Sequence, residues 1–140
     1  MSPKTDGRIT RCDRSQSQTR LAHAKKFLEV AELVATEGDS IPASASVAAA
    51  LAVLAGIAAS DAACCATLGR RSRGQDHSQA LDLVQQISPG GLEATKHLDR
   101  LLNIKDTAHY GVIHVSTTEL KSALRNAQAL VKFAEAQLRK

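Results

Sequence analysis

The segment between Pro42 and Gly69 constrains this chain more than any other. From Pro42 to Leu68 it is rich in Ala and apolar on nearly every side, with Asp61 its single charged residue. Pro42 suits the first turn of a helix, where no backbone donor is needed, and Gly69 suits the left-handed residue that closes one. A helix that is apolar all round belongs in the middle of a core. Its apolar run from Val47 to Ala59 is short, mostly Ala, and followed at once by Ser60 and Asp61, so it reads as a buried core helix and not as a membrane span. Gly56 weakens such a helix by about 1 kcal/mol relative to Ala. A close helix crossing at that point is the expected compensation.

The rest of the core must be built from similar material. The chain is 44% hydrophobic but only 2% aromatic, with no Trp, which leaves Ala, Leu, Val and Ile to fill the interior. Small side chains let helices approach closely at little entropic cost, whereas a sheet core calls for more β-branched and aromatic residues. An all-α fold without a sheet is expected, and 140 residues suffice for one domain.

The remaining elements follow from periodicity. Leu21, Ala24, Leu28, Ala31 and Ala35 fall at helical spacing, and Gly38 is the expected stop. After the basic loop Gly69 to Asp76, with Asp76 as cap, a short helix carries Leu81, Leu83, Val84 and Ile87 until Ser88-Pro89-Gly90-Gly91 breaks it. A further helix runs from Leu92 toward Tyr110, with Leu92, His97 or Leu98, Leu101, Leu102 and Ile104 on its apolar side, and Gly111 stops or kinks it. Ser116-Thr117-Thr118-Glu119 forms a capping box ahead of a last helix whose face is Leu120, Ala123, Leu124, Ala127, Leu130, Val131, Ala134 and Leu138. Four long helices and one short one predict an antiparallel up-and-down bundle over residues 16–140, preceded by a flexible basic arm over residues 1–15.

Charge is unevenly spread. The net +4 owes much to the first 26 residues, where Lys4, Arg8, Arg11, Arg14, Arg20, Lys25 and Lys26 face only Asp6 and Asp13. Such a leader suits a solvated terminus or salt-sensitive contact with nucleic acid. Cys12, Cys64 and Cys65 are odd in number, and neighbouring side chains diverge on a helix, so no disulfide framework follows and Cys64 and Cys65 read as inert core thiols. The first twenty residues hold no compact apolar stretch, and a cytoplasmic location is expected.

Few residues suggest chemistry. His97 and His109 stand 12 residues apart on one helix, about 18 Å along its axis, so they cannot share an ion, and no metal-ligand spacing occurs elsewhere. No metal and no cofactor is expected. Gly69 to Gly74 lacks the Gly-Lys-Ser/Thr ending of a phosphate loop and follows a helix. Asp61 stands apart. A carboxylate in the most apolar helix needs a cationic partner from a facing helix or an opening to water, and both structural and functional roles fit it.

Three segments carry a likeness to a known family. They are Ala62-Ala63-Cys64-Cys65-Ala66-Thr67-Leu68-Gly69, the basic turn Arg70-Arg71-Ser72-Arg73-Gly74, and Leu101 to Tyr110 with its Lys105-Asp106-Thr107-Ala108-His109-Tyr110 ending. In this arrangement the chain, from Leu21 to Leu138, resembles the HEPN superfamily, small helical bundles of prokaryotic toxin–antitoxin and nucleotidyltransferase-associated systems. The resemblance implies a homodimer, or a complex with a partner such as a nucleotidyltransferase. Ribonuclease members carry an Arg and a His separated by four to six residues. Here Lys105 and His109 have three residues between them, and the spacing is met instead by Arg71 and His77 in the early loop.

Three functions follow as expectations. The first is a non-catalytic HEPN-like interaction module. The second is a metal-independent ribonuclease with Asp61, Lys105 and His109 as catalytic residues, Arg71 being the alternative to Lys105 and His77 to His109, which requires Asp61 to share an opening with Lys105 or His109. The third is a basic adaptor that binds nucleic-acid phosphates through the amino-terminal arm and Arg70, Arg71 and Arg73, with His77 beside them, without chemistry.

Overall fold

A computed structural model describes residues 9–73 and 77–140 of the chain. In order along the chain, the elements are β1 (Ile9–Arg11), α1 (Arg14–Ala35), a 3-10 turn (Gly38–Ser40), α2 (Pro42–Leu68), β2 (Arg70–Ser72), α3 (His77–Gln85), α4 (Gly91–Tyr110) and α5 (Thr117–Leu138). The fold is mostly helical, as its composition predicts, with α2 at its centre against α1, α4 and α5.

The Ala-rich helix has the expected bounds and environment. Pro42 opens it and Gly69 closes it with φ 71°. Ala48, Ala49, Ala52, Val53, Ala55, Ala58, Ala59, Ala62 and Ala63 are all fully buried. Gly56 marks the close crossing: a Cβ there would stand 2.3 Å from Leu101 Cδ1 and 3.1 Å from Leu130 Cδ1. Both α4 and α5 therefore approach α2 at one point. α2 is long and apolar enough to cross a membrane, but 67% of its most apolar window is buried within the fold.

Helix boundaries follow local chemistry. Ser116 accepts from the Glu119 amide at 3.1 Å and Glu119 accepts from the Ser116 amide at 3.0 Å, so α5 begins with the predicted capping box. α4 buries Ala94, Leu98, Leu101 and Leu102, while Leu92, assigned to that stripe from sequence, is 58% exposed because it lies one position off it. The Asp76 cap expected for α3 lies outside the described residues.

The amino-terminal region departs most from expectation. α1 starts at Arg14, a full seven residues before Leu21, because Asp13 and Gln16 form a second capping box. Its polar opening turns are not loose: Ser17 is fully buried and donates to the Ala62 carbonyl of α2 at 2.9 Å. At the other end Thr36, not Gly38, caps the helix.

Within the stretch expected as an arm, Ile9–Arg11 form β1, and the expectation of no sheet fails there. β1 pairs antiparallel with β2, Thr10 opposite Arg71 and Arg11 opposite Arg70. The absence of a disulfide is likewise corrected: Cys12 and Cys65 are bonded, their Cα atoms 5.3 Å apart across a sequence separation of 53. Adjacent cysteines on a helix do diverge, and that divergence sends Cys65 out to Cys12 while Cys64 stays buried and free. Closing a loop of that length removes denatured-state entropy worth about 4 kcal/mol.

The crossing at Gly56 yields a stability test. Gly56→Val forces Leu101 and Leu130 out of their packing, and urea unfolding is expected to show a loss of about 1–3 kcal/mol.

Candidate functional site

One pocket of about 290 Å³ opens beside the carboxyl-terminal half of α2. Ile57, Ser60 and Asp61 share one face of that helix at spacings of three and four, and Leu98, Leu102 and Lys105 share one face of α4. Arg20 reaches in from α1, Arg71 from β2, Arg73 from just beyond it, and His77 from the start of α3. Among the described residues, Arg20, Arg71, Arg73 and Lys105 thus surround one carboxylate, above an apolar wall of Ile57, Leu98 and Leu102.

Asp61 organises the electrostatics. Its Oδ2 accepts from Arg20 Nη2 at 2.9 Å and from Nε at 3.2 Å, and Arg71 Nη1 lies 4.0 Å away. Burial pushes the Asp61 carboxyl above its ordinary range because the charged form loses hydration, while Arg20 and Arg71 pull it back in part. The facing-helix partner that the sequence demands is Arg20, and the same carboxylate also borders the pocket. Structural and site roles meet in one residue.

The cationic rim is built from separate elements. Lys105 Nζ lies 3.5 Å from His77 Nε2, which brings α4 and α3 together at the pocket mouth. Arg71 Nη1 donates to the Ser72 carbonyl at 3.3 Å. Successive strand residues point to opposite faces, and Arg70 accordingly turns away from the pocket to donate to Gln86 at 3.0 Å. At the pocket floor Ser60 is 4% exposed, and its Oγ has no hydrogen-bond partner among the described residues. A buried hydroxyl without a partner beside an opening is suited to a bound ligand.

Of the residues expected from sequence, Asp61, Arg71, Arg73, His77 and Lys105 converge, whereas Arg70 and His109 do not line the pocket. His109 follows Lys105 by one turn, packs its ring 5.8 Å from that of Tyr110, and leaves its buried Nε2 without a partner among the described residues. Of the two histidines expected as alternatives, His77 shares the opening with Asp61 and Lys105, and His109 does not line it. Arg20 and Ser60 are additions. Cys64 next to the site is a poor nucleophile, since burial and the nearby Asp61 push its thiol up to about 12. Among the described residues, no group of three or more His, Cys, Asp or Glu side chains could hold a metal ion.

No protein-family model and no curated protein matches the chain.

The raised Asp61 pKa has a definite sign in stability. Native Asp61 holds its proton more tightly than the unfolded chain, so its contribution is fullest below the ordinary value of 3.8 and is lost as pH rises through the native pKa. Asp61→Asn is expected to flatten that part of the pH–stability curve, read as urea midpoints across the acid range.

Proposed function

We propose that the chain is a HEPN-like antiparallel up-and-down bundle of four long helices and one short one that binds RNA through phosphate contacts in the basic pocket, without cutting it. The observation that carries this reading is the convergence of Arg71, Arg73, His77 and Lys105 on one opening from β2 and its exit, α3 and α4. Arginine and lysine side chains gathered at one opening make a positive local potential that attracts an anionic ligand. Arg71 and Arg73 supply planar donors suited to phosphate oxygens, and Lys105 supplies a point charge. Ser60 Oγ adds a neutral donor at the floor.

Association belongs to the same proposal. Tyr110, Val112 and Ile113 lie at the α4–α5 junction with 76%, 99% and 76% of their surfaces exposed, a concentration of apolar area that suits a second copy or a nucleotidyltransferase partner in the cytoplasm.

The ribonuclease reading keeps one specific support, the shared opening of Asp61, Lys105 and His77. There His77 would move the proton and Lys105 would hold the phosphate charge.

Fluorescence anisotropy with a labelled single-stranded RNA separates these readings. Affinity is expected to fall steeply with salt, and Arg71→Ala is expected to weaken it about tenfold, with the salt slope falling by about one. Absence of binding at low salt would end the phosphate reading. Cleavage of the same RNA that is lost in His77→Ala would establish the ribonuclease instead.

A further inference from the structure

The Cys12–Cys65 disulfide lies where the amino-terminal strand meets the pocket wall. Cys12 directly follows β1, and its amide donates to the Gly69 carbonyl at 3.0 Å, just ahead of β2. β1 in turn pairs with β2, placing Thr10 opposite Arg71. On the other side of the bond, Cys65 follows Asp61 by one turn of α2. Asp13, adjacent to Cys12, caps α1, the helix that supplies Arg20. One covalent bond thus connects the strand behind Arg71, the helix carrying Ser60 and Asp61, and the start of the helix carrying Arg20.

We infer that this disulfide is a redox latch on the pocket: an external dithiol that opens it releases β1 from β2 and lowers the pocket's affinity for its phosphate-bearing ligand. The inference rests on the phosphate reading of the pocket for its second half only. Its first half rests on the sheet. A two-stranded ladder of three-residue strands is marginal in water, so β1 depends on the covalent tie to remain paired. Without β1, the backbone of Arg71 loses its partner, and the guanidinium loses a fixed approach to the pocket.

The chemistry is ordinary thiol–disulfide exchange. Cys12 is half-buried, whereas Cys65 is buried, so an incoming thiolate attacks Cys12 Sγ and expels the Cys65 thiolate, which takes up a proton. The second thiol of the reductant then displaces Cys12 and leaves as the reductant's own disulfide. Two electrons and two protons pass to the protein, which gains two thiols. Cys64 does not compete, being buried with a thiol pushed up to about 12.

Two measurements on the full chain, with and without dithiothreitol, test the latch. Amide hydrogen exchange at Arg70–Ser72 is expected to lose protection on reduction while the core of α2 keeps its own. Anisotropy with the labelled RNA is expected to show affinity about tenfold weaker on reduction, the size of one lost charge-assisted contact. Cys12→Ser should match the reduced protein and ignore dithiothreitol, and Cys64→Ala should respond to it like the parent chain. Unchanged protection of β2 on reduction would overturn the latch, as would loss of helical circular dichroism, which would make the bond a general support of the fold. If β2 loses protection but the oxidised protein binds no RNA, the latch stands and the phosphate reading falls. If RNA binds equally in both states, that reading stands and the latch on affinity falls.

Discussion

Burying a helix that is apolar around its whole circumference requires neighbours on every side, and α2 imposes that demand on the rest of the chain. Its Ala side chains are short, so the neighbours must come close to exclude water and recover dispersion contacts. Gly56 sets how close, because Leu101 of α4 and Leu130 of α5 fill the space that a Cβ would occupy. α1 covers another side, held in part by the buried bond from Ser17 to the Ala62 carbonyl. With these helices fixed against it, the end of α2 beyond Ile57 becomes the point from which the pocket is laid out.

At that point the helix breaks its own rule. Ser60 and Asp61 place a hydroxyl and a carboxylate within an otherwise apolar core, and each needs a partner that the helix itself does not provide. Arg20 answers Asp61 from α1. Ser60 Oγ remains unanswered among the described residues. Arg71, Arg73 and Lys105 stand around the same opening, so positive charge from β2, its exit and α4 borders it. The apolar wall raises the strength of every interaction made there, because it keeps the local dielectric below that of bulk water.

Much of the helical architecture was legible in the sequence because its signals are local. Pro42 and Gly69 bracket α2, and Ser116 with Glu119 opens α5, each through backbone groups that any chain of that sequence must satisfy. Asp61 could be singled out from composition alone, as a charge where none is expected. What lay beyond reach depended on distant partners. Asp13 and Gln16 carry a capping signal as plain as that of Ser116 and Glu119, but the polar turns after it lack the apolar stripe by which a helix is traced. The short strands have no alternating pattern of their own and pair across some sixty positions of sequence, Thr10 opposite Arg71. Arg70 and Arg71 look equivalent as text, and only strand pairing sends one to Gln86 and the other to the pocket. His77 and Lys105, 28 positions apart, become neighbours only through the packing of α3 on α4.

The most direct test of the pocket is a two-dimensional NMR titration of the oxidised, 15N-labelled chain with inorganic phosphate. Binding in the pocket predicts saturable shifts gathered at Ser60, Asp61, Arg71, Ser72, His77 and Lys105, with the exposed bases of α5 unmoved. Shifts spread over Lys121, Arg125 and Lys132 with none around Ser60 and Arg71 would contradict it, and would reduce the positive charge of this protein to a general surface property.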